Sequence, residues 1–174
     1  MMARSAGFRR AVPGIAVAVL SLALLACGGG STASGPAAPS ASNAIRLSLH
    51  AESLKDSTVR VLIQANDAAE LYQLSCRLIY DPVAVRALAA TPGSLVDQRA
   101  VFFTSDWPDG YVPVAFTYHP GETIPAASGT IATCEFELLG SSEQPAFDLL
   151  RDPEYLLAAD ARGAALPVSV EAAQ

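Results

Sequence analysis

From about residue 44 onward the sequence predicts an all-β sandwich, on three observations. Apolar residues recur with a period close to 2 in nearly every run. The runs are cut by clusters of Gly, Pro, Asp and Asn. A helical period is almost absent. Half-buried strands separated by frequent turn signals are the pattern of two packed antiparallel sheets.

In the first strand Ile45, Leu47 and Leu49 alternate with Arg46, Ser48 and His50. In the second, Val59, Val61 and Ile63 alternate with Arg60, Leu62 and Gln64. The third is the run ELYQLSCRLIYDP. Tyr72, Leu74, Cys76, Leu78 and Tyr80 share its inward face, and Gln73, Ser75, Arg77 and Ile79 its outward one. VAVRALAA, residues 83–90, fits a short helical turn or an edge strand equally well. Val112, Val114, Phe116 and Tyr118 define another strand. A further one has Ala132, Cys134, Phe136 and Leu138 opposite Thr133, Glu135 and Glu137. The breaks fall at Asp81-Pro82, Thr91-Pro92-Gly93, Trp107-Pro108-Asp109-Gly110, His119-Pro120-Gly121 and Ala127-Ser128-Gly129.

The N-terminus reads as an address. Residues 1–26 combine three arginines, a short apolar run and a small-residue end, the pattern of a secretory signal peptide. Leu24-Leu25-Ala26-Cys27 resembles the lipobox of bacterial lipoproteins, which implies lipidation at Cys27 and a membrane anchor made of several acyl chains. Gly28 follows where an aspartate would resemble an inner-membrane retention signal, so an outer-membrane location is expected if the cell has two membranes. Residues 27–43 are then the lipidated cysteine and an uncharged Gly/Ser/Ala/Pro tether, and residues 44–174 the folded domain. Beyond Cys27 there are 8 basic and 17 acidic side chains, a net of −9 that disfavours nucleic acid and anionic surfaces as partners.

No catalytic constellation stands out. The only histidines are His50, on a polar strand face, and His119, in a turn. Nucleophile-elbow and metalloprotease spacings are missing. Asp106 and Asp109 are the candidates for a carboxylate pair, but Ser-Asp-Trp-Pro-Asp-Gly is first of all turn chemistry. No enzyme, cofactor or metal site is expected. Trp107, the single tryptophan, could with Tyr111 form a small platform for a polysaccharide. The competing reading has Trp107 capping the core.

In order along the chain, several of these pieces resemble a cohesin domain. They are Asn66-Asp67, the Leu71-Tyr72 strand entry, Tyr80-Asp81-Pro82, Gly93-Ser94-Leu95-Val96, the aromatic strand Val101 to Thr104, Val112-Pro113-Val114-Ala115-Phe116, Ser128 to Thr133 leading into Cys134-Glu135-Phe136-Glu137-Leu138, and the tail Ala159 to Val168. The resemblance covers residues 44–174. It implies a nine-stranded jelly-roll sandwich without catalytic activity that binds another protein, either a dockerin-like module or a cell-envelope partner. It also implies that the strands carrying Cys76 and Cys134 are antiparallel neighbours in one sheet. On that arrangement their outward residues Ser75, Arg77, Ile79, Thr133 and Glu135 would form the partner face, with Ile79 as an apolar centre. The two inward cysteines would come within disulfide reach. Two buried free thiols are the alternative.

Overall fold

The computed structural model describes residues 44–55, 57–105, 110–122, 124–140 and 145–171. The expected signal peptide, lipidation site Cys27 and tether lie outside them, as do Asp106, Trp107 and Asp109. Ten strands run through the described residues. β1 (Ile45–Ser53), β2 (Thr58–Asn66), β4 (Val85–Pro92), β7 (Gly129–Leu138) and β10 (Val168–Val170) make one sheet, in the order β10-β1-β2-β7-β4. β3 (Gln73–Tyr80), β5 (Ala100–Phe103), β6 (Tyr111–Tyr118) and β8 (Phe147–Leu149) make the other, in the order β5-β6-β3-β8, with β9 (Leu157–Ala159) also paired to β3. We call these sheets A and B. The ambiguous stretch after Pro82 is β4, an edge strand of sheet A.

The alternation read from the sequence becomes the core. Leu47, Val61 and Ile63 of sheet A and Leu74, Leu78, Val114 and Phe116 of sheet B are all buried. Phe136 of β7 lies between Tyr80 and Phe147 of the other sheet, with ring centroids 5.2 and 4.8 Å away. Tyr80 and Phe147 are themselves register partners across β3 and β8, so a cross-strand aromatic pair in sheet B receives one ring from sheet A.

The Tyr-Asp-Pro ending of β3 is a turn built by one carboxylate. Asp81 accepts the Val83 amide at 2.9 Å through its side chain, and its carbonyl accepts the amides of Ala84 and Val85. The strand therefore stops, and the chain crosses to sheet A. The Gly93-Ser94-Leu95-Val96 segment clips onto the start of β7. Gly93 N–H donates to Ile131 O, Leu95 N–H donates to Thr130 O, and Ser94 Oγ accepts the Thr130 amide. Here β7 carries one extra residue against β2, and Ile131 and Ala132 are both buried in consequence. A second irregularity lies in β4, where Leu88 is the unpaired residue and stands exposed.

One implied arrangement is corrected. β3 and β7 are strands of different sheets and do not pair. Cys76 lies opposite Val114 of β6, and Cys134 opposite Val61 of β2 and Ala90 of β4. Both are buried free thiols projecting into the core from opposite sheets, and the expected disulfide between them is absent. Strand parity identified both as inward-facing, but parity carries no information about which sheet a strand joins.

Candidate functional site

The two outer faces of the sandwich differ in chemistry. On sheet A, Arg60 sits directly across from Glu135 and bonds to it at 3.2 Å, and Arg86 pairs with its register partner Glu137. Arg46 meets Asp67 at 2.8 Å and Glu171 at 3.6 Å, and His50 lies 3.5 Å from Glu52 on the same strand. Exposed pairs of this kind add little stability. Their effect is to neutralise the charges of this face locally, although Arg60 Nε is buried without a hydrogen-bond partner.

Exposed apolar side chains are distributed differently: on sheet A Leu88, with Val83 and Leu139 beside it, sits along the β4 edge, whereas those of sheet B span its width. Val101 and Phe103 of β5 point away from the core, and Phe103 is 54% exposed. The register then lines up Phe103, Ala115, Ser75 and Leu157 in one row across β5, β6, β3 and β9. Leu157 is 55% exposed, so two apolar side chains flank a floor of two small ones. The next row holds Pro113 and Arg77, and the one after it Tyr111, Ile79 and Asp148. β5 pairs only with Ala115–Tyr118 of β6, so Pro113 lies where β6 is an open edge and a missing N–H is tolerated.

Arg77 is held at the centre of this surface by aromatic rings. Its guanidinium carbon lies 4.7 Å from the ring centroid of Tyr111 and 3.6 Å from that of Tyr155. Tyr111 comes from β6 on one flank of β3. Tyr155 comes from the segment between β8 and β9 on the other. The Leu150 amide also donates to the Arg77 carbonyl, tying that segment to β3.

The expected partner residues therefore divide. Ser75, Arg77 and Ile79 share the outer face of sheet B, whereas Thr133 and Glu135 lie on the outer face of sheet A, across the sandwich. They cannot form one patch. Tyr111, expected as part of a sugar platform, has its ring engaged by Arg77. Sequence reasoning did not place Phe103, Tyr155 or Leu157 on the partner face. A signal was present for the first, because adjacent Phe102 and Phe103 on one strand must point to opposite faces. Tyr155 and Leu157 needed the pairing of β9 with β3.

An open cleft of about 360 Å³ at one end of the sandwich is lined by residues that include Glu70, Tyr72, Glu122, Asp160 and Arg162. Its Asp160 carboxylate already accepts the amides of Arg162 and Ala164, so it serves a turn. Among the described residues no group of three or more His, Cys, Asp or Glu is placed to hold a metal, and no helix is long and apolar enough to cross a membrane.

No protein-family model matches the chain, and no curated protein matches it by sequence. Solved structures do. The sixth cohesin of scaffoldin B from Acetivibrio cellulolyticus, solved with a Cel5 dockerin, matches at 17% identity and a TM-score of 0.64, covering 75% of this chain and 96% of that one. The CaCohA2 cohesin of Clostridium acetobutylicum matches at 18% identity and a TM-score of 0.61, covering 75% and 87%. A non-cellulosomal cohesin from the archaeon Archaeoglobus fulgidus matches at 16% identity and a TM-score of 0.56, covering 72% and 86%. The domain is a cohesin-like β-sandwich.

Proposed function

We propose that this protein is a non-catalytic recognition module that binds another protein through the outer face of sheet B. The observation that carries this reading is the contrast between faces. Sheet A's outer charges are paired across strands and its exposed apolar residues Val83, Leu88 and Leu139 sit along the β4 edge, while sheet B exposes Phe103, Leu157 and Val101 across its width around the ring-held cation Arg77. Several large apolar side chains exposed on one sheet face mark an interaction site.

The shape suits a helical partner. Three inter-strand steps separate β5 from β9, so the Phe103 and Leu157 ridges stand roughly 14 Å apart. An α-helix with its side chains measures about 10–12 Å across and could lie along the strands on the Ala115–Ser75 floor. Several of the similar structures, the scaffoldin B cohesin among them, were solved as cohesin–dockerin complexes, which supports a dockerin-like module as the first partner to try. The lipobox-like Leu24-Leu25-Ala26-Cys27 supports an extracytoplasmic, lipid-anchored setting for this face.

Binding should be measured against a panel of calcium-loaded dockerin modules, with the wild type, Phe103→Glu, Leu157→Glu and the sheet A control Arg60→Gln. The reading expects capture by the wild type and Arg60→Gln and its loss in the two sheet B variants. Loss of capture on chelating calcium would identify the partner as dockerin-like. Capture that survives both sheet B substitutions would sink the proposed face. Palmitate incorporation that persists in Cys27→Ala would sink the anchor.

A further inference from the structure

Resting on the sheet B reading, we infer that Arg77 is a carboxylate receptor at the centre of that face, so that the partner inserts an Asp or Glu side chain into an otherwise apolar contact. Among the described residues Arg46, Arg60, Arg86, Arg99 and Arg151 each meet a carboxylate. Arg77 meets none, and its side chain contacts the two tyrosine rings instead. Arg162 also has no carboxylate partner, but it stands in an exposed turn.

The geometry leaves a specific capacity unspent. Arg77 lies over the faces of the Tyr111 and Tyr155 rings, which offer no lone-pair acceptor, so its N–H donors are not matched by a carboxylate or carbonyl there. The rings restrain the guanidinium from both flanks of β3, which lowers the ordering cost of binding. A partner that covers Phe103, Ile79 and Leu157 also removes water from those donors. Burial of unmatched donors is costly, so the partner must bring an acceptor, and a carboxylate fits the planar fork with two parallel hydrogen bonds. The protein as a whole is acidic, so the attraction is local to this one cation and does not come from its overall field.

A displayed library of a three-helix scaffold, randomised on one two-helix face, tests this without knowledge of the natural partner. Binders are selected on the full chain and sequenced. Their affinities are then measured against Phe103→Ser, Leu157→Ser, Arg77→Gln and Arg77→Lys. Binders lost in Phe103→Ser and Leu157→Ser are those on sheet B. Among them the inference expects one dominant Asp or Glu position. It also expects a loss of about 30-fold or more with Arg77→Gln, the range for truncating one partner of a buried charge pair. Arg77→Lys, which keeps the charge and loses the fork, should fall between. Replacing the selected acid by Lys should restore binding to Arg77→Glu. Sheet B binders with no acidic position, or indifferent to Arg77→Gln, overturn the inference and leave the face standing. Binders that all ignore Phe103 and Leu157 overturn the face and the inference with it. A binder to sheet A that holds Arg77→Gln at wild-type affinity shows that this variant is folded.

Discussion

At the scale of single residues, the two inward cysteines are small apolar core side chains that also happen to be titratable. Burial, with Cys134 nearby, pushes the Cys76 thiol up to about 12 from an ordinary 9.0, and burial does the same to Cys134. At pH 8 only roughly one thiol in ten thousand would then be ionised, and the thiolate is the reactive form. In the domain from Ala44 onward, N-ethylmaleimide should label neither cysteine in the native state and both after unfolding without reductant, as read by mass spectrometry. Labelling of neither after unfolding would mean a disulfide. The raised pKa values also set a pH trend. The unfolded chain loses these protons near pH 9 while the folded one keeps them. Their contribution to stability is therefore complete below pH 9 and lost as pH rises toward 12. Melting temperature should fall across that window, and less steeply in a Cys76→Ala, Cys134→Ala double variant. Phe136 is the opposite kind of core residue, a large ring held by aromatics of the facing sheet. Phe136→Ala should cost about 3–5 kcal/mol in a urea titration.

At the scale of elements, the segment after β4 is held by close backbone approach. A Cβ on Gly93 would lie 2.4 Å from the Thr130 carbonyl oxygen, an atom already committed to the Leu95 amide. Gly93→Ala should therefore force the segment off β7 and cost at least ~1–3 kcal/mol, seen as a lower urea midpoint with an unchanged slope. The same segment is pinned to β6, because the buried Tyr118 hydroxyl donates to the Leu95 carbonyl. Tyr118→Phe would leave that carbonyl unpaired at a cost of about 1–3 kcal/mol. Most of these elements were legible in the sequence. The parity of β1, β2, β3, β6 and β7 follows directly from their alternation, and the Asp81 turn from Tyr-Asp-Pro. The irregularities at Ile131 and Leu88 were not legible, since an extra residue shows only once a strand has a partner to be counted against.

At the scale of the molecule, the proposed function rests on the difference between two outer faces of one sandwich. Face-specific charge substitutions should separate stability from binding. Arg60→Gln removes a half-exposed pair and should change stability by less than about 1 kcal/mol without touching sheet B. Phe103→Glu should leave the melting temperature near that of the wild type, because the side chain is already 54% exposed, yet abolish partner capture. A melt that collapses in Phe103→Glu would show that the residue is structural.

The sequence by itself determined the sandwich class and the inward and outward sets of the main strands, including the outward position of Ser75, Arg77 and Ile79 on β3. Those are local properties, set by a side-chain period of two and by turn chemistry within a few residues. Sheet membership is a property of pairs of strands far apart in the chain. Tertiary structure alone therefore decided that β3 and β7 face each other across the core. That arrangement separated Thr133 and Glu135 from Arg77 and set Cys76 and Cys134 on opposite sheets, and the pairing of β9 with β3 brought Tyr155 and Leu157 beside it.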